Sequence, residues 1–130
     1  ILSAEDAKTA QDTGADAIVI SNHGGRQLDF ASSTIGLLPE IRKAVGPDSC
    51  VMIDGGFRRG SEIVIVLGLG ASGVLLGRAY AFGLSAQGQE GVQKPISILA
   101  DEIKITLKLM GLNSIKELQA KGAECVYQIA

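Results

Sequence analysis

A histidine and an arginine three residues apart are the side chains best suited to chemistry. His23 is the only histidine of the chain, and histidine is the side chain whose ordinary pKa allows proton transfer near neutral pH. Arg26 carries a planar guanidinium, which can hold a carboxylate through two hydrogen bonds. A lone histidine is usually structural and an arginine can form a surface ion pair, but these two lie beside glycines directly after an apolar run. The pair therefore indicates a base and a carboxylate clamp, as oxidation or proton abstraction at a small carboxylic acid requires.

Two later segments have the composition of a phosphate site. Residues 54–60 read Asp-Gly-Gly-Phe-Arg-Arg-Gly, and Gly77 and Arg78 follow the next apolar run. Each segment on its own is compatible with an ordinary turn whose arginines lie in water. Together they match the phosphate pocket that forms after the last two strands of a barrel, so we expect Arg78 to converge with Gly55 and Gly56 on one anion. Asp54 would repel phosphate, and we expect it to accept hydrogen bonds from a ribityl chain or to orient an arginine.

A third glycine-rich segment has no such function. Residues 68–73 satisfy the GxGxxG pattern of dinucleotide-binding turns. That pattern requires a strand before the glycines and a helix after them, whereas here the predicted helix comes first and the strand second. We interpret these glycines as the end of a helix.

Composition excludes several classes of protein. The 130 residues are 46% apolar, with 12 Lys and Arg against 14 Asp and Glu, which predicts one soluble domain and no nucleic-acid binding. The longest uncharged apolar stretch, residues 63–77, contains four glycines and is shorter than the roughly 20 residues of a membrane span. Cys50 and Cys125 have no zinc or disulfide spacing, which favours a reducing compartment such as the cytoplasm. The amino terminus resembles neither a targeting segment nor a natural start, so we expect a fragment.

The elements that must position these residues repeat three times. Apolar runs at 17–20, 50–53 and 73–77 predict strands buried on both faces. Helices are predicted at 3–13, 34–45, 95–110 and 113–118, with another that begins after a Ser61 cap, while 78–93 is predicted as a loop with some helical structure. This order requires parallel pairing and leaves a doubly wound sheet or part of a (β/α)8 barrel. In either fold, ligands bind beyond the carboxyl ends of the strands, where the polar segments lie.

Residues 21–29, Ser-Asn-His-Gly-Gly-Arg-Gln-Leu-Asp, resemble the active-site signature of the FMN-dependent α-hydroxy acid oxidases and dehydrogenases. This family includes glycolate oxidase, lactate oxidase, L-lactate dehydrogenase and mandelate dehydrogenase. Other phosphate-binding barrels, such as inosine monophosphate dehydrogenase, share the DGG and GR elements but lack residues 21–29. The resemblance implies an α/β fold over residues 1–118, the later part of a (β/α)8 TIM barrel with three parallel βα units and a preceding helix. Residues 119–130 are then expected to form a surface tail.

The resemblance also implies FMN as the cofactor and oxidation of a small L-2-hydroxy acid, of the lactate, glycolate or mandelate class, to the 2-oxo acid. It makes His23 the base, Arg26 the group that binds the substrate carboxylate, and Ser21 a flavin contact. The other implied cofactor contacts are Asp54, Gly55, Gly56, Phe57 and Arg58 beside the ribityl chain and phosphate, and Gly77 with Arg78 at the phosphate. The sequence does not decide the hydroxy acid, the electron acceptor, or hydride against carbanion transfer.

Several parts of the family pattern lie outside this chain. The family places a catalytic lysine just before the segment that begins here at Ile1, and its earlier strands supply tyrosines and an aspartate that orients the histidine. We therefore expect the carboxyl-terminal half of an enzyme that needs its amino-terminal half and is a homo-oligomer when complete. The alternative is an inactive half-barrel that binds phosphate or self-associates through exposed sheet edges. A peroxisomal location or peripheral membrane association of the full protein stays open beside the cytoplasm.

Overall fold

The computed structural model describes residues 1–126 as an alternation of helices and strands. In chain order the elements are α1 (Ala4–Asp12), β1 (Ala17–Ile20), a 3-10 turn (His23–Gly25), α2 (Thr34–Val45), β2 (Cys50–Ile53), α3 (Gly60–Gly68), β3 (Gly73–Val74), α4 (Arg78–Leu109), α5 (Ile115–Lys121) and a second 3-10 turn (Gly122–Cys125). The chain forms two compact units. The first contains residues 1–55 and 69–75, and the second contains residues 56–68 and the chain from Leu76 onward.

The first unit is built on a parallel sheet in the order β1-β2-β3. Ala17 is paired with Cys50 and Ile20 with Ile53, and β3 is paired with the end of β2. The three predicted parallel strands are confirmed, although β3 is only two residues long. Burial on both faces was wrong for β1, because Ile18 and Ile20 are buried whereas Ala17 and Val19 are exposed. Helices α1 and α2 lie where the sequence predicts them and pack on each other and on these strands.

Arg42 joins the loops at the amino ends of β2 and β3. Its guanidinium donates hydrogen bonds to the carbonyls of Gly46 at 2.9 Å, Ser49 at 2.8 Å and Gly70 at 2.5 Å. Burial lowers the pKa of this guanidinium from its usual value, and the charge of Cys50 opposes that shift. Because each carbonyl accepts a hydrogen bond from a charged donor, Arg42 stabilises two loops of the first unit at once.

The second unit is helical, and its core contains one side of α3. Ile63, Val64, Val66 and Leu67 of α3 are buried, and this helix packs on α4 and α5. The prediction of a loop over 78–93 was wrong: α4 begins at Arg78 and is interrupted only at Gln87 and Gly88, where φ is −145° and +57°. Ile98, which the helical periodicity placed inward, is 48% exposed. Within residues 1–126 no helix combines the length and hydropathy needed to cross a membrane.

The interruption in α4 brings two glycines into contact. A Cβ added at Gly83 would collide with the carbonyl group of Gly91, and a Cβ at Gly91 would collide with that of Gly83. Pro95 lies inside the same helix, and proline has no N–H for the carbonyl four residues earlier, which is that of Gly91. The close approach of the two helical parts therefore depends on glycine at both positions.

The carboxyl-terminal end of the described chain is also helical. Ser114 caps α5 by accepting a hydrogen bond from the Glu117 amide at 3.1 Å. The helix ends at Lys121, so the segment expected as a surface tail, 119–130, begins inside α5. Residues 127–130 of that segment lie outside the described residues.

Candidate active site

The loop after β1 turns sharply where it presents the candidate base. His23 has a φ of +56°, and Gly24 and Gly25 have φ values of +68° and +69°. Three successive residues in the left-handed region reverse the chain, and only glycine adopts that region without steric strain. The non-glycine residue at the start of this turn is the histidine, and backbone strain of this kind is concentrated at functional sites.

Ser21 connects this turn to the end of the neighbouring strand. Its hydroxyl donates to Asp54 Oδ2 at 2.9 Å and accepts from the His23 amide at 3.1 Å. The Asp54 amide extends the ladder by donating to the Ile20 carbonyl at 3.0 Å. Because Ser21 and Asp54 each follow the last residue of a paired strand, parallel register brings them together. The backbone of His23 is thereby fixed to the sheet.

A buried threonine supports the loop after β2 from the other side. Thr34, at the start of α2, is 4% exposed and donates to the Asp54 carbonyl at 2.6 Å. Gly55 has a φ of +120°, and a Cβ there would lie 2.7 Å from Thr34 Oγ1. The backbone at residues 54 and 55 is therefore held close to α2, in a conformation that favours glycine.

Two buried acceptors in these loops have no hydrogen-bond partner among residues 1–126, Asp54 Oδ1 and Asn22 Oδ1. Burying a carboxylate oxygen without a hydrogen-bond donor costs free energy. A ligand that donates a hydroxyl group to this oxygen removes that cost. The ribityl chain of FMN carries such hydroxyls. Asp54 Oδ1 needs a hydrogen-bond donor, and FMN, the cofactor expected from the sequence, could supply one.

His23 and Arg26 leave their side chains accessible. Both residues are exposed, and neither forms an ion pair within the described part of the chain. A guanidinium without a carboxylate partner is available to an anionic ligand. The first unit thus places the candidate base and an accessible guanidinium three positions apart on one loop, and the hydrogen bond between Ser21 and Asp54 fixes the start of that loop.

Phe57 and Arg58, which the sequence predicts beside the cofactor's ribityl chain and phosphate, belong to the second unit. Phe57 is buried, with 8% exposure, so only its backbone is accessible to a cofactor. Gly56 has open space where a Cβ would lie. Arg58 is exposed and its guanidinium has no ion-pair partner in residues 1–126. Its availability matches the role that the sequence predicts.

The start of α3 is capped by carboxylates. Glu62 Oε2 accepts hydrogen bonds from the amides of Arg58 at 2.8 Å and Arg59 at 3.1 Å. The expected cap by Ser61 was wrong, because the helix already begins at Gly60 and Ser61 lies within its first turn. The local sequence contained the signal for the actual cap, since an acidic side chain in the first turn commonly reaches back to the preceding amides.

Gly77 and Arg78 form the start of α4. Gly77 is the cap residue, and no side chain makes a capping hydrogen bond there. The first amides of a helix then stay available, and together with the exposed Arg78 they favour an anion. The predicted convergence of Arg78 with Gly55 and Gly56 stays a prediction.

Sequence reasoning missed three residues that shape these loops, Thr34, Glu62 and Glu102. Thr34 was recognised only as a helix start, although a threonine in that place commonly bonds backbone groups. Glu102 contacts Arg59 and Gly60 from α4. No local signal indicates this last contact, since it joins residues 42 positions apart.

Comparison with known proteins identifies relatives over nearly the whole chain. Residues 1–124 match the model of the FMN-dependent dehydrogenase family. An L-lactate dehydrogenase of Pseudomonas syringae pv. syringae is 49% identical over 120 residues, which are 92% of this chain and 32% of that protein. Glycolate oxidase of Spinacia oleracea is 44% identical over 118 residues, which are 91% of this chain and 32% of the oxidase. The chain thus spans about a third of the length of these curated relatives.

Solved structures give the same fold. A monotopic membrane protein, (S)-mandelate dehydrogenase, superposes with a TM-score of 0.88 at 44% identity, covering 95% of this chain and 32% of that one. A lactate oxidase of Pediococcus acidilactici gives a TM-score of 0.89 at 38% identity, covering 92% and 33% of the respective chains. These matches confirm part of a (β/α)8 barrel and exclude the doubly wound sheet.

Proposed function

Because the chain belongs to the FMN-dependent dehydrogenase family, we propose that it carries the catalytic loop of an enzyme that oxidises a small L-2-hydroxy acid to the 2-oxo acid. The observation that supports this most directly is the turn at His23, whose backbone is held by Ser21 and, through it, by Asp54. FMN is the cofactor of the family and supplies the two-electron oxidation when bound. The chain supplies the base, the carboxylate clamp and part of the cofactor site.

In this proposal the base is neutral His23, which removes a proton from the substrate. Histidine fits this step because its ordinary pKa is close to neutral pH. The strained turn fixes the backbone of His23 before substrate arrives. This reduces the entropy that is lost when the imidazole reaches a reactive geometry.

Arg26 binds the substrate carboxylate in the same proposal. Its guanidinium has five donors in a fixed plane, and two of them match the two oxygens of a carboxylate. Because His23 and Arg26 lie on one loop, the carboxylate contact positions the neighbouring α-carbon and hydroxyl at the base. A substrate with its hydroxyl further from the carboxylate is expected to be a poor one.

In this proposal, acidic and basic residues bind different parts of the cofactor. Asp54 Oδ1, a buried acceptor without a partner in residues 1–126, accepts a ribityl hydroxyl, while the Ser21 hydroxyl lies beside the flavin. Arg58, Arg78 and the backbone at Gly56, Phe57 and Gly77 bind the phosphate, because cations and free amides favour a dianion. Gly55, which has no Cβ, lets the backbone just before this segment lie close to Thr34 of α2.

We also propose that activity requires the remainder of the barrel. The chain spans about a third of its relatives, and the family resemblance places a lysine, tyrosines and an aspartate of the active site in the other part. The same resemblance supports a homo-oligomer as the complete form, which gel filtration would check. The cysteine usage favours the cytoplasm, and cell fractionation would distinguish it from a peroxisomal or membrane-associated location.

Flavin spectroscopy tests the proposal. The complete enzyme is expected to purify yellow with bound FMN, and anaerobic addition of L-lactate, glycolate or (S)-mandelate is expected to bleach the flavin absorbance. Bleaching by the L-enantiomer and not by the D-enantiomer supports a specific hydroxy acid site. A yellow protein that none of these acids bleaches contradicts the reaction. If the 130-residue chain purified by itself is colourless but still binds inorganic phosphate, the inactive half-barrel is supported instead.

A further inference from the structure

The two adjacent arginines after β2 have different surroundings. Arg59 Nη2 lies 3.0 Å from Glu102 Oε1, in an ion pair with α4. The guanidinium of Arg58 has no such partner among the described residues. Of these two neighbouring arginines, the charge of Arg59 is therefore paired with a carboxylate, whereas that of Arg58 is not paired within residues 1–126.

Glu102 holds the backbone as well as the arginine. Its second oxygen, Oε2, accepts a hydrogen bond from the Gly60 amide at 2.6 Å. The Glu102 side chain is 25% exposed, whereas that of Arg59 is 68% exposed. A carboxylate that binds a guanidinium and a backbone amide together is fixed more firmly than one in a surface pair.

Close packing explains why the contact is made from α4. A Cβ at Gly60 would lie 2.5 Å from Glu102 Cβ and 2.5 Å from the Ile103 amide nitrogen. The first residue of α3 therefore touches the backbone turn of α4 that carries Glu102. This approach sets the position of the chain just after Arg58.

The amides at the start of α3 are not available to a phosphate. Those of Arg58 and Arg59 donate to Glu62, and that of Gly60 donates to Glu102. Two carboxylates at a helix start also repel an anion. What this segment can offer a phosphate is the guanidinium of Arg58 and the backbone before it.

We infer that Glu102 is a positioning residue for the cofactor phosphate, which holds Arg59 and the start of α3 so that Arg58 is the arginine available to the phosphate. This inference rests on the proposed function, which assigns the phosphate to Arg58. Loss of Glu102 frees Arg59 and the Gly60 amide, so the loop must be ordered when FMN binds. That ordering weakens the binding of FMN.

The test compares FMN with riboflavin, which has the same ring and ribityl chain but no phosphate. The complete enzyme is stripped of flavin, and both dissociation constants are measured by flavin fluorescence. The ratio of the riboflavin constant to the FMN constant reports the phosphate contact alone. The thermal unfolding temperature of the flavin-free protein is measured in parallel.

We expect Arg58→Met to lower the ratio about thirtyfold, as for loss of charge-assisted hydrogen bonds. Glu102→Ala and Arg59→Met are each expected to lower it about tenfold, and the double variant no further, because the two residues act as one unit. Glu102→Gln keeps an acceptor for the Gly60 amide but loses the ion pair, so it should fold normally and lower the ratio about threefold. Asp101→Ala is the matched control, since within residues 1–126 Asp101 pairs only with Lys104 at the surface, and it should change nothing.

Three results would overturn the inference. If Arg59→Met lowers the ratio as much as Arg58→Met and its effect adds to that of Glu102→Ala, Arg59 binds the phosphate itself. If Glu102→Ala lowers the unfolding temperature but leaves the ratio unchanged, its role is structural only. If Arg58→Met leaves the ratio unchanged, the phosphate assignment in the proposed function fails, and this outcome is distinct from the first two.

Discussion

At the scale of single residues, the proposed base and the proposed clamp should fail differently. His23→Gln keeps a polar side chain that cannot act as a base, so we expect FMN to stay bound. The rate of flavin reduction in a single turnover should fall about 10²-fold to 10⁴-fold, the usual loss for a general base. Stopped-flow absorbance measures this directly, and near-normal reduction would remove His23 from the mechanism.

Arg26→Lys replaces a bidentate fork by a point charge. The substrate dissociation constant should rise about tenfold, and the reduction rate should fall as well because the carboxylate is aligned less well. The dependence of the stopped-flow rate on substrate concentration separates the two effects. An unchanged dissociation constant would show that Arg26 does not bind the carboxylate.

Residue types alone singled out the candidate site residues, but not the residues that support their loops. His23, Arg26 and Asp54 were proposed because each follows an apolar strand, where ligands bind in parallel α/β folds; their roles stay predictions. Thr34 and Glu102 were missed, since their contacts join residues 20 and 42 positions apart. Such contacts depend on how elements pack, which no local pattern encodes.

At the scale of elements, the glycine contact inside α4 should be sensitive to a single methyl group. Gly83→Ala is expected to lower the free energy of unfolding by about 3 kcal/mol, because the added Cβ overlaps the Gly91 backbone. Gly36→Ala is the matched control: this glycine lies in α2 with nothing within 4 Å of an added Cβ. It should raise stability by about 0.5 to 1 kcal/mol through helix propensity. Urea unfolding of both variants gives the comparison, and equal effects would contradict the contact.

The glycines that make this contact also explain why residues 78–93 were predicted as a loop. Glycines at 83, 88 and 91 lower helix propensity, and Pro95 is typical of a helix start. Packing of the two parts of α4 against each other outweighs propensity here, since Gly83 and Gly91 allow a close approach. In contrast, α1, α2 and the first two strands followed from local patterns, because the Ser3 cap of α1, the apolar spacing of α2 and the glycine after each helix agree.

At the scale of the whole molecule, the two units should lose structure separately. Arg42→Met removes a charged donor from three carbonyls in the first unit, which should destabilise that unit by about 2 to 3 kcal/mol. Hydrogen exchange is expected to speed up at the amides of β2 and β3 and to stay unchanged at those of α3. Lys43→Met is a suitable control, since Lys43 is the exposed neighbour. Equal acceleration in both units would indicate a single cooperative fold.

The left-handed conformation of His23 has a consequence for protein engineering. A residue with a side chain at a φ of +56° is less stable than glycine there by about 1 kcal/mol, after the higher entropy of unfolded glycine is subtracted. His23→Gly should therefore unfold at a higher temperature than His23→Ala in calorimetry, although both lack the imidazole. A selection for heat resistance without a screen for turnover would then favour the glycine variant, which lacks the proposed base. If His23 is the base, as proposed, position 23 is a place where thermostability and catalysis compete directly, and directed evolution of this protein should hold it constant.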